Sequence, residues 1–147
     1  PVVVGVDGSG VSQKAIEYAF AEASARECEL IAVHTWMDMQ IQASLAGLSA
    51  AQQQWKIVEE EQNMLLGHRL AGYAERYPDV QVTRVVTRDR PVRALVDAAK
   101  GAQLLVVGSH GRGGFKGMLL GSTSRALLQS APCPMMVVRP DSDAKAH

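Results

Sequence analysis

Val2-Val3-Val4-Gly5-Val6-Asp7-Gly8-Ser9-Gly10 begins with a β-branched run that is apolar at consecutive positions and then breaks into a glycine-containing turn. Consecutive apolar residues suit a strand covered on both faces, whereas a strand with one wet face alternates. The reading is a central parallel strand. Behind the turn, Ile16, Ala19, Phe20 and Ala23 recur at helical spacing, with Glu17, Glu22 and Arg26 off that face, as a crossover helix requires.

The rest of the chain repeats this alternation. Leu30-Ile31-Ala32-Val33 reads as a second buried strand. The Gln, Ala and Ser-rich stretch from Asp38 to about Gln54 has no clear period and is expected to be a loop. From about Gln53 to Tyr77 the period is helical, with Leu66, Leu70, Tyr73, Ala74 and Tyr77 on one face, until Pro78 and Asp79 end it. Val80 to Val86 alternates apolar and polar, as a strand nearer the sheet edge does. Val92, Leu95, Val96 and Ala99 follow at helical spacing behind Pro91 and ahead of Gly101. Leu104-Leu105-Val106-Val107 is a further apolar strand; then come a glycine-rich turn, a helix from about Ser122 to Ser130, and a last strand, Met135 to Val138. Five strands alternating with four helices demand right-handed crossovers and an α/β fold with helices on both faces of a parallel sheet.

At 147 residues, 47% of them apolar, the chain fits one globular domain, with no internal repeat or low-complexity segment. We expect that domain over residues 1–140 and a flexible tail over 141–147. Lys plus Arg equals Asp plus Glu at 15 each, so no overall field favours nucleic acid or a membrane as partner, and any anion site must be local. Cys28 and Cys133 match no zinc spacing and are too few for a disulfide framework, which fits a reducing, cytoplasmic setting. No stretch has the length of a membrane helix, and no signal arrangement stands at the start. Pro1 directly precedes a strand-like run and no methionine stands before it, so the native protein is expected to be longer.

The most informative stretch for function is Gly108-Ser109-His110-Gly111 and, after nine residues, Gly121-Ser122-Thr123-Ser124, set between a buried strand and a helix. Glycines here let the backbone turn with positive φ and let a ligand come close, while the new helix offers unpaired N–H groups and its positive dipole end to an anion. Hydroxyls of Ser122, Thr123 and Ser124 can add hydrogen bonds, and Arg112 and Lys116 can neutralise phosphate charge. The glycines alone fit a flexible, Ser/Thr-capped connection equally well. The spacing is neither a P-loop nor the dinucleotide G-x-G-x-x-G.

The spacing does match G-x2-G-x9-G-(S/T), here Gly108, Gly111, Gly121 and Ser122, and in this the chain resembles the universal stress protein family. The resemblance runs from Val-Gly-Val-Asp-Gly-Ser at Val4 to Ser9, through His34, to Pro-Cys-Pro-Met-Met-Val-Val-Arg-Pro ending at Pro140. It implies a three-layer αβα sandwich, Rossmann-like and similar to the adenine nucleotide alpha hydrolases, with a five-stranded parallel sheet in order 3-2-1-4-5 and ATP where strands one and four diverge. An independent rule agrees: in open α/β sheets ligands sit beyond the carboxyl ends of strands at the topological switch point. The resemblance further implies that Asp7 and the backbone at Thr35 hold the adenosine end, that Val6 lines the same pocket, and that Val107 lies under the nucleotide. Asp7 also suits a turn residue accepting backbone N–H bonds. Gln103 departs from the family's usual acidic residue, at the far end of its strand.

No catalytic role is expected of His110, because no Ser-His-Asp or Cys-His arrangement is visible. His34 is expected to be a hydrogen-bonded structural residue rather than a metal ligand. Magnesium or manganese would arrive bridging the phosphates, since the turn carries no carboxylate to hold it. Cys133 reads as a small buried filler, and Glu59-Glu60-Glu61 as a solvated helix face. Trp36 and Trp55 could cover the nucleotide or anchor the loop.

Three functions remain in view: an ATP-binding regulatory module with at most slow hydrolysis or self-phosphorylation at Ser122 or Ser124; a protein-interaction domain pairing through the Met135–Val138 strand with a second copy or a sibling domain; and a cyclic AMP receptor.

Overall fold

The computed structural model describes residues 1–35, 48–110 and 120–140. The elements in chain order are β1 (Val2–Gly5), α1 (Gly10–Ala25), β2 (Leu30–Thr35), α2 (Leu48–Arg76), β3 (Val82–Thr87), α3 (Pro91–Ala99), β4 (Leu104–Gly108), α4 (Ser122–Ser130) and β5 (Met135–Val138). The strands form one sheet in the order β3-β2-β1-β4-β5, every neighbouring pair parallel. This is the three-layer, Rossmann-like arrangement that the alternation implies.

The period-two rule of a strand sorts the sheet's side chains into two cores. Val2, Val4, Leu30, Ala32, Leu104 and Val106 point to one face, where Ile16, Ala19 and Phe20 of α1 and Leu66 and Leu70 of α2 cover them. Val3, Val33, Leu105 and Val107 point to the other, against Leu95 and Ala99 of α3 and Leu127 of α4. Val2, Val3 and Val4 are fully buried, so the opening run is apolar at every position because both of its faces are inside. On the α1 side Phe20 stacks against Tyr73 and Tyr77, with ring centroids 5.9 and 6.0 Å away.

α1 starts where Ser9 caps it, the Ser9 hydroxyl accepting from Ser12 N–H at 3.1 Å. α3 starts on Pro91, whose missing N–H costs nothing at a first helical position. β3 is an edge strand, and its consecutive residues Thr83 and Arg84, on opposite faces, are both exposed.

Several boundaries differ from the sequence reading. α2 begins at Leu48, so the segment from Leu48 to Gln54 is helix where a loop is expected; the preceding residues from Asp38 lie outside the described ones. The Ala and Gln residues of that segment favour helix by intrinsic propensity, which leaves no apolar period to read. β2 continues to Thr35. β1 stops at Gly5, although Val6 N–H still reaches Val33 O at 2.9 Å. β3 begins at Val82 because Val80 belongs to the turn after α2, its N–H donating to Tyr77 O at 3.1 Å.

Phe20→Ala would remove a wholly buried ring that stacks on two tyrosines, and large-to-small changes of this kind cost about 3–5 kcal/mol. Urea unfolding should show that loss as a lower midpoint with an unchanged slope.

Candidate functional site

At their carboxyl ends β1 and β4, which are neighbours in the sheet, send the chain to opposite faces. β1 leads into α1 on one face and β4 into α4 on the other, so a crevice opens between the two connections.

The β1–α1 connection is a tight turn tied by its own side chains. Asp7 Oδ1 accepts from Ser9 N–H at 2.9 Å, and Ser12 Oγ accepts from Asp7 N–H at 3.0 Å. Gly8 lies at φ +87°, a region that side chains with a Cβ rarely enter. Asp7 thus does act as a turn residue, through Oδ1. Beside the turn, at the end of β2, His34 Nδ1 donates to Val6 O at 2.7 Å, and its Nε2 stands 2.6 Å from Gln62 Oε1 on α2. This imidazole clamps the end of β1 to α2 next to Thr35, and its role is structural.

The β4–α4 connection is closed at its base by backbone bonds. Ser109 N–H donates to Val138 O at 2.7 Å, and Gly121 N–H donates to Ser109 O at 2.6 Å. Ser124 is buried, and its hydroxyl donates to Gly108 O at 2.6 Å. The first turn of α4 is thereby stapled to the end of β4, and its N-cap, Gly121, has no side chain with which to cap it. Ser122 is exposed and Thr123 half-exposed there, leaving first-turn N–H groups for an anion.

Of the residues singled out from the sequence, Val6, Asp7, Thr35, Val107, Gly108, Gly121, Ser122, Thr123 and Ser124 gather at this carboxyl edge. Gly111, Arg112 and Lys116 lie outside the described residues. The side chains of Val6 and Val107 are buried in the two cores. The expected positive φ is not found at Gly108 or Gly121: the positive-φ glycines among the described residues are Gly8 and Gly101. Gly108 answers to close approach instead, since a Cβ on it would stand 2.8 Å from Val11 Cγ1 of α1. Val11, Ser109 and Gln62 carry no local signal of these contacts, which join segments far apart in sequence. Ser109 is fully buried with its Oγ 2.9 Å from His110 Nδ1.

Residues 1–139 match the Universal stress protein family. The chain belongs to that family. Universal stress protein Rv2005c of Mycobacterium tuberculosis is 54% identical over 139 residues, which are 95% of this chain and 45% of the relative. The chain therefore spans about half the length of the curated relatives it matches. Among solved structures, universal stress protein UspA from Lactobacillus plantarum superposes with a TM-score of 0.74 at 18% identity, over 94% of this chain and 96% of that one. A universal stress protein in complex with cAMP superposes with a TM-score of 0.63 at 25% identity, over 94% of each chain.

Elsewhere in this universal stress protein fold, an open cavity of about 440 Å³ lies between α2 and β3, lined by Lys56, Glu59, Glu60, Asn63, Arg84 and Val86. Val86 in its lining pairs with His34 of β2, so the cavity opens beside the carboxyl end of β2, and it carries exposed charges of both signs. Among the described residues no group of three His, Cys, Asp or Glu side chains could hold a metal ion, and no helix is long and apolar enough to cross a membrane. Cys133 is half-buried against the α3–α4 core, and burial pushes its thiol above the usual range.

Ser124→Ala would leave Gly108 O without its side-chain donor, at a cost of about 1–3 kcal/mol for a buried acceptor. Thermal unfolding should register the loss, and Ser124→Thr, which keeps the hydroxyl, should recover part of it.

Proposed function

We propose that this chain is an adenine nucleotide-binding regulatory domain, with ATP as its principal ligand. The observation that carries the reading is the N-terminus of α4, begun by a glycine N-cap and stapled at the end of β4 across a crevice from the β1–α1 turn. In this reading the phosphates lie on Gly108, Gly111 and the N–H groups of Gly121 to Ser124, with Arg112 adding charge. The adenosine end lies between Asp7, Val6, Thr35 and Val107. A divalent ion, magnesium or manganese, rides on the phosphates, because the stretches Gly108–His110 and Gly121–Ser124 contain no carboxylate. The cAMP complex of a family member supports an adenine nucleotide and makes cyclic AMP the competing ligand.

Bound nucleotide acts here by biasing conformation or partner contact rather than by rapid turnover. The sequence has no Walker lysine and no pair of metal-binding carboxylates in the turn. Ser124 commits its proton to Gly108 O and is buried, so any self-phosphorylation falls on the exposed Ser122. Mass spectrometry of small molecules released on denaturation, followed by calorimetric titration of ATP, ADP, AMP and cyclic AMP, tests the reading. ATP is expected to bind most tightly, and Gly121→Asp, which sets a carboxylate in the phosphate position, to abolish binding. No released nucleotide and no heat with any of the four would refute it.

A second reading rests on β5. This strand is a sheet edge, with Met135, Met136 and Val137 only partly covered. Leu105 N–H donates to Pro134 O at 2.9 Å and Ser109 N–H to Val138 O at 2.7 Å, so the backbone groups of the even-numbered residues face β4. Those of Met135 and Val137 face outward and can pair with the same strand of another copy or of a sibling domain. Sedimentation at rising concentration should then show a dimer that Val137→Pro, which deletes an outward donor while sparing the β4 ladder, returns to monomer. A monomer at every concentration would rule out self-association.

A further inference from the structure

Arg69 sits on α2 between Leu66 and Leu70, both buried in the core beneath α1 and α2. Its backbone carbonyl accepts from Gln13 Nε2 of α1 at 3.4 Å, which brings the two helices together at this point. The Arg69 guanidinium reaches over the β1–α1 turn. From the position a Cβ on Gly8 would take, Nη2 is 3.0 Å away, Nη1 3.1 Å and Cζ 3.2 Å. The two terminal nitrogens are nearer than Cζ, so the guanidinium brings its Nη1–Nη2 end obliquely over Gly8. Glycine at φ +87° gives the guanidinium its room.

The Nε–H and the outer Nη N–H groups, on the far side of the guanidinium, are directed away from Gly8. Among the described residues no carboxylate pairs with this guanidinium and no carbonyl accepts from it, and the neighbouring Asp7 spends Oδ1 on Ser9 N–H. The cation also stands beside the positive end of α1, an unfavourable pairing unless an anion joins them. With its Nε–H side open and no carboxylate partner among the described residues, the cation suits phosphoryl oxygens, which take two parallel N–H bonds.

The geometry points to Arg69 as a phosphate-contacting residue of the nucleotide site, supplied by α2 over the β1–α1 turn. This assignment rests on the nucleotide-binding reading. It adds a cation that lies outside the glycine signature and ties α2 to the ligand.

The test is calorimetric titration of ATP, adenosine and tripolyphosphate into the unaltered chain, Arg69→Gln and Arg69→Lys, with unfolding midpoints measured on the same samples. Arg69→Gln should weaken ATP by about tenfold or more, the range for a hydrogen bond to a charged group, and weaken tripolyphosphate with it. Adenosine binding should not change. Arg69→Lys, which keeps the charge without the planar fork, should fall between. Equal ATP affinity in Arg69→Gln would overturn the assignment, as would an equal loss for ATP and adenosine at an unchanged midpoint. Failure of the unaltered chain to bind any adenine nucleotide would instead overturn the nucleotide reading, and the Arg69 assignment with it.

Discussion

β1 is hydrogen-bonded along both edges, to β2 and to β4, and its valines are buried on both faces. A strand so enclosed can leave the sheet only at its end. The chain there turns to the α1 face, while the neighbouring β4 turns to the α4 face. The crevice follows from that divergence and needs no special side chain to open it. What the local sequence adds is closure of each turn: Asp7, Ser9 and Ser12 on one side, and Ser109, Gly121 and Ser124 on the other.

Much of the bonding at these two turns is done by main-chain groups and short hydroxyls. That suits a chain with no net charge, in which a field able to attract an anion has to be made locally from oriented N–H groups. It also explains why hydroxyl residues at adjacent positions have different tasks. Ser122 faces solvent at the mouth of the crevice, whereas Ser124, half a turn later, faces inward and braces the end of β4.

The strands were legible because burial on both faces forces runs of β-branched and aliphatic residues, and the wetter edge strand β3 betrays itself by alternation. The glycine spacing likewise marked the residues that gather at the carboxyl edge. The start of α2 was hidden, since a segment rich in Ala and Gln declares no face. The reason for glycine at position 108 was hidden too: it lies in Val11, about a hundred residues earlier in the chain and on another element. Positive φ depends on the exact path of a turn: among the described glycines Gly8 has it and Gly121, at φ −73°, does not. The same distance in sequence conceals the approach of Arg69 to Gly8.

The pairing of Val3 with Leu105 also orders events as the chain emerges from the ribosome. β1, α1, β2, α2 and β3 can assemble first, yet β1 then carries a bare inner edge until Leu104–Gly108 has been made. For that interval the most apolar strand of the sheet is an open template for a wrong partner, the kind of species on which aggregation feeds. The crevice is a late product of synthesis, completed only when the interior of the sheet is sealed.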